Sequence, residues 1–249
     1  MKNKRINYLI VALVSLILVL IFIFGGNLFS SHTDWINQHV QFADYFRKLF
    51  YETGNLLPDF TFNIGGGQNI FNFSYYGLYN PLLMISYLLP SVSMVVYFQI
   101  MNIVLYIISG LLFYKFFNTK FSNKITLILT LLFVMSGPLL FHFHRQYMFV
   151  NYIPFLLLSL IGVDKYNKDK RSWLLILSIF MIIMSSYYYA ISSLLVILIY
   201  YVYTNFDVLR KVKLKEKIKI LLKFSSRIFI SIMMASILLL PTFLTLLNG

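Results

Sequence analysis

The sequence predicts an all-α integral membrane protein with about seven transmembrane helices and one long, structured loop outside. Three observations carry that fold class. Of the 249 residues, 59% are hydrophobic and only 12% charged. A soluble domain has roughly a quarter of its residues charged, so most of this chain must take lipid as its solvent. The apolar residues fall in uncharged runs near the ~20 residues that cross a bilayer as a helix. Between those runs the Lys and Arg residues collect in alternate connecting segments, as the positive-inside rule asks.

The first span is read at 6–24, uncharged and preceded by Lys2, Lys4 and Arg5. Its apolar core is long and further runs follow, which predicts a retained anchor rather than a cleaved secretory signal. Further spans are read near 95–114, 125–143, 148–163, 172–187, 189–206 and 228–247. Residues 172–206 carry no charge over 35 positions, too long for one span, and divide at 186–189 into two helices joined by a tight outer turn. With the amino terminus cytoplasmic, all but three of the 21 Lys and Arg residues lie inside, the exceptions being Arg47, Lys48 and Arg145. The net charge of +13 then reflects topology, not nucleic-acid binding. Residues 207–227 interleave lysines with Leu209, Leu214, Ile218 and Leu222. They read as an amphipathic helix on anionic inner-leaflet lipid, with a regulatory or nucleic-acid role as the alternative. Cysteine is absent, which excludes disulfides and thiolate metal sites.

Chemistry is expected in the loop at 29–80. Four of the eight acidic residues stand there, Asp34, Asp44, Glu52 and Asp59. None of the eight falls in mid-span, so no carboxylate chain for proton or sodium coupling is visible. Residues 35–51 place Ile36, Val40, Ala43, Phe46 and Phe50 at helical spacing, with Asn37, Gln38, Gln41, Asp44 and Lys48 mostly opposite. That pattern predicts an amphipathic helix resting on the outer membrane face. Gly65-Gly66-Gly67 lacks the Lys-Ser/Thr of a phosphate loop. An aromatic run, 71–81, follows, and the apolar piece at 82–89 is too short to span, which suits a re-entrant or interfacial segment.

On these residues the chain resembles a known family. A first span is followed by Asp34-Trp35 with Gln38 and Phe42, then Gly65-Gly66-Gly67, then Tyr75-Tyr76-Gly77-Leu78-Tyr79-Asn80-Pro81. Further on come Asn151-Tyr152-Ile153-Pro154-Phe155-Leu156 and Ser185-Ser186-Tyr187-Tyr188-Tyr189. This order resembles the YfhO family of bacterial membrane proteins, of the GT-C class of polyprenyl-phosphate-sugar-dependent glycosyltransferases. The resemblance implies a GT-C-like fold in the bacterial cell membrane. It also implies transfer of a sugar from an undecaprenyl-phosphate carrier to a cell-envelope polymer, with lipoteichoic acid the leading acceptor.

GT-C enzymes use an acidic residue just after the first span, and Asp34 is the matching position. It would accept the acceptor's proton or help hold a divalent cation; read from the residues alone, it sits where an N-cap or first-turn acid of the following helix would sit. Gln38, Tyr76, His144 and Arg145 are read as substrate-binding residues. Arg145 is the only charged group of the short loop 142–147 and suits a lipid phosphate, or else anchors the interface beside Tyr147. That loop lacks the second acidic residue of many GT-C enzymes, so the metal stays unassigned. Tyr187, Tyr188 and Tyr189 read as an aromatic belt or as a sugar platform. A carrier or flippase for a lipid-linked intermediate and a non-catalytic scaffold are the alternative functions. YfhO-like proteins continue well past position 249, which predicts an amino-terminal part or a shortened relative.

Overall fold

A computed structural model describes residues 2–25, 34–56, 58 and 60–248, with the side chains of Lys2, Asn3, His144, Tyr147 and Asn248 outside that description. The uncharged runs fold as helices because only a helix satisfies every backbone N–H and C=O within its own segment in lipid. In chain order the α-helices, charged ones included, are α1 (Lys2–Phe24), α2 (Gln41–Thr53), α3 (Pro81–Met84), α4 (Met94–Phe117), α5 (Asn123–Val134) and α6 (Gly137–Arg145). Then come α7 (Ile153–Asp169), α8 (Trp173–Ser185), α9 (Tyr187–Thr204), α10 (Phe206–Lys211), α11 (Leu214–Met234) and α12 (Ser236–Asn248). The only strands among the described residues, β1 (Phe60–Thr61) and β2 (Gln68–Asn69), make a small antiparallel hairpin. Its turn is the triple glycine, all three residues at positive φ (59°, 80° and 111°), a region that glycine enters without steric cost. The glycines therefore serve a turn.

Short polar residues mark where helices begin. Ser93 Oγ accepts from Val96 N–H at α4, Ser122 Oγ from Ile125 N–H at α5, and Asn80 Oδ1 from Leu82 N–H at α3. Each removes one of the unpaired donors of a first turn. Among the described residues, Lys4–Phe24, α4 and α9 are long and apolar enough to cross a membrane. Two further pairs are bent, α5 with α6 by 51° and α11 with α12 by 73°, giving five if each pair is one span. The predicted span 125–143 is thus two helices meeting before Gly137-Pro138. The one at 148–163 starts at Ile153 after a 3-10 turn, and the one at 228–247 straddles the bend at Ala235. The charge-free stretch 172–206 breaks at Ser186 into α8 and α9.

Helices approach closely where side chains vanish. A Cβ on Gly162 would stand 2.9 Å from the Leu175 backbone, so glycine lets α7 lie directly on α8. Gly110 of α4 likewise faces Val134 and Val11. Small residues at helix contacts are what apolar solvent favours, since packing rather than water exclusion drives association there. Two apolar clusters result. One gathers α7, α8, α9 and α11 around Ile179, Ile182 and Phe224. The other gathers α1, α4 and α6 around Phe98, Tyr106 and Phe143.

The loop helix joins the two clusters. Trp35, Val40 and Ala43 are buried in the second, and Phe46 in the first. The predicted apolar face is the buried one, with His39 and Arg47 buried beside it. Its first turn, Trp35–Val40, is wound as a π-helix before α2 proper begins. Arg47 donates to the carbonyls of Val92 (2.8 Å) and Leu89 (3.4 Å) and pairs with Asp44 at 3.0 Å, which ties the helix to the end of the 81–89 segment. Asp44 also holds Lys48 at 2.8 Å and is thereby engaged structurally.

Candidate active site

Asp34 opens the loop helix, and its backbone carbonyl accepts from the N–H groups of Gln38 (3.1 Å) and His39 (3.0 Å). Its side chain makes no capping bond. The carboxylate turns away from the helix and accepts a 2.6 Å hydrogen bond from Gln146 Nε2, across 112 residues of sequence. A hydrogen bond to a charged group contributes about 1.5–3 kcal/mol net, enough to fix the carboxylate's direction. Gln146 is presented by the end of α6, where its N–H donates to the His142 carbonyl at 2.8 Å.

From this contact a closed circuit of neighbours can be followed. The His142 ring lies 5.2 Å from Phe149, and Phe149 lies 5.5 Å from Tyr189. Tyr189 is 5.2 Å from Tyr188, which is 6.2 Å from Tyr75. Tyr75 meets Tyr76 at 5.7 Å, Tyr76 meets His39 at 5.9 Å, and His39 N–H returns to Asp34. The loop helix, the 3-10 helix Ile70–Tyr76, the end of α6 and the start of α9 each supply part of it. Tyr76 is steadied from behind by Phe42, stacked at 4.6 Å.

His39 tunes the electrostatics. Burial pushes its pKa down to about 4, although the negative charge of Asp34 pulls it the other way. Near neutral pH His39 is therefore uncharged and leaves the charge of Asp34 uncancelled. Tyr75 is shifted upward, first by burial and then by the neighbouring tyrosines, so its hydroxyl keeps its proton.

The predicted residues fall as follows. Asp34 and Tyr76 belong to the circuit. Gln38 sits one turn beyond Asp34, half-buried, and meets it through the backbone. Arg145 is exposed one residue before Gln146, with its guanidinium 4.9 Å from the Phe141 ring centroid. His144 lies in α6, and its side chain is outside the described residues. No three His, Asp or Glu side chains that could hold a metal stand together among the described residues. Sequence reasoning missed Gln146, His39 and Tyr75. Gln146 sits beside Arg145 in a short loop, but nothing in the spacing connects it to Asp34.

Against protein-family models, residues 9–249 match the family described as bacterial membrane protein YfhO. The chain belongs to the YfhO family. No curated protein and no solved structure matches it. YfhO membership together with apolar helices makes this a membrane-embedded protein.

Proposed function

We propose that the chain carries the catalytic loop of a membrane glycosyltransferase. The enzyme moves a sugar from an undecaprenyl-phosphate carrier to a cell-envelope polymer such as lipoteichoic acid on the outer face of the membrane. The observation that supports this reading best is the state of Asp34. Among the described residues its carboxylate is held by one neutral amide from a distant loop, and it is not used to cap its own helix. A carboxylate in that condition can take the proton of an acceptor hydroxyl as the oxygen attacks the anomeric carbon and the polyprenyl phosphate departs. Gln146 orients it, and neutral His39 leaves its charge intact. In this reading Arg145, exposed beside Gln146, meets the donor phosphate, for which a planar guanidinium is suited. The amino terminus and the basic segments lie in the cytoplasm in this reading.

Substituting Asp34→Asn in the chain held in membrane vesicles, and following transfer of labelled hexose from a polyprenyl-phosphate hexose, is the test. General-base loss typically costs about 10²–10⁴-fold, and that fall is expected with insertion unchanged and stability lowered by less than the ~1.5–3 kcal/mol of the charge-assisted bond, since an asparagine carbonyl still accepts from Gln146. Full transfer by the variant would remove Asp34 from catalysis and favour a carrier or a scaffold.

A further inference from the structure

We infer that the tyrosine corner made by Tyr75, Tyr187 and Tyr188 is a binding subsite for a pyranose ring of the acceptor. This rests on the glycosyl-transfer reading. The usual role of tyrosines at a helix end is a belt, in which each ring faces lipid at a common depth. Here the rings meet edge to face across two chain segments. Tyr75 stands nearly perpendicular to Tyr187 (6.4 Å, 78°) and to Tyr188 (6.2 Å, 86°). Behind them Tyr189 lies parallel to Tyr152 at 5.3 Å, with only 4° between the planes. The Asn151 amide ties this wall to the next helix by donating to the Ser185 carbonyl at 3.1 Å.

Perpendicular rings offer an apolar face beside a phenolic hydroxyl, which is the mixed surface that a pyranose presents in reverse. The Tyr75 hydroxyl stays protonated and serves as a donor to sugar oxygens. Tyr188 is 62% exposed, so its ring is open to a ligand. The corner shares its circuit with Asp34. The link runs through Tyr76 and His39, so in this proposal an acceptor polymer seated at the corner by one pyranose extends along that path toward the carboxylate.

The probes are methyl α-D-glucopyranoside and methyl α-D-galactopyranoside, added to the chain in nanodiscs free of sugar detergents. Saturation-transfer NMR reads which sugar protons touch the protein. Wild type and Asp34→Asn are expected to transfer saturation to at least one pyranoside, and Tyr188→Ala is expected to lose at least four-fifths of that signal. Tyr188→Phe, which keeps the ring, is expected to retain at least half. Because Tyr188 is exposed, its truncation is compatible with folding, and an unchanged thermal transition verifies this. In the transfer assay Tyr188→Ala is expected to raise the acceptor KM about tenfold with kcat within twofold. No signal with wild type, or an undiminished signal in Tyr188→Ala, overturns the inference. If Asp34→Asn keeps full transfer while the pyranoside signal still depends on Tyr188, the catalytic reading fails and the sugar site stands.

Discussion

The two ends of the helical bundle each carry an aspartate linked by hydrogen bonds to distant parts of the chain, and the two are held differently. At the end near the basic segments, Asp164 has both oxygens committed. Lys120 Nζ lies 3.1 Å from Oδ2, and the Tyr200 hydroxyl donates to Oδ1 at 2.5 Å. The same lysine packs over the rings of Phe116 and Tyr200, at 4.7 and 5.1 Å. Alongside, Asn205 donates to Asn167, and Asn167 to Thr204, each at 3.0 Å. This is a clasp joining α4, α7 and α9. At the loop end, the one hydrogen bond to the Asp34 carboxylate among the described residues comes from Gln146. A carboxylate whose own chain uses both oxygens is structural. One steered by a single neutral donor keeps capacity for a substrate proton.

Exchanging the two aspartates for asparagine in turn breaks the comparison most sharply. Asp34→Asn should lower sugar transfer about 10²–10⁴-fold, far more than the modest loss of stability from a weakened Gln146 hydrogen bond explains, whereas Asp164→Asn should leave transfer within twofold. Equal losses in both would erase the distinction. Acid provides the next effect. His39 titrates at about 4 in the folded chain against 6.5 unfolded, so the unfolded state binds the proton first. Stability should fall as pH drops below about 6.5 and level off near 4, for a total of about 3 kcal/mol at ~1.4 kcal/mol per pKa unit. Thermal unfolding in neutral detergent between pH 7 and pH 4, compared with His39→Phe, measures it; an unchanged pH slope in the variant would refute the assignment to His39.

Smaller effects sharpen the clasp. Asp164→Asn should cost about 1 kcal/mol, because the pair is about one-third exposed and water screens it. Lys120→Gln should cost a few tenths of a kcal/mol more or less than that, judged by a double-mutant cycle. A coupling near zero would mean that Tyr200, not Lys120, carries the clasp.

How much of this was legible in the sequence follows from the range of each interaction. The apolar runs and the break at Ser186 could be read because hydrophobicity and helix stops are local properties. The amphipathic helix after Asp34 was legible for the same reason, since Val40, Ala43 and Phe46 repeat with the helical period. The bend before Gly137-Pro138 had its signal in those two residues, but apolar flanks hid it inside a single run. Gln146 against Asp34 was not legible, because a contact spanning 112 residues is set by how α1, α4 and α6 pack, not by any pattern near either partner. The tyrosines were visible as a cluster at 187–189, and only the fold turned Tyr75 toward them.

Transfer at the outer face requires the Asp34 end of the bundle to face outward and the basic end to face the cytoplasm. The chain contains no cysteine, so single thiols can be placed cleanly at two exposed positions, Asn37→Cys beside Asp34 and Lys213→Cys at the basic end. In intact cells a membrane-impermeant maleimide should label the Asn37→Cys variant and spare the Lys213→Cys variant until the membrane is opened. Labelling of the Lys213→Cys variant with protection of the Asn37→Cys variant would put the carboxylate on the cytoplasmic side and contradict transfer at the outer face.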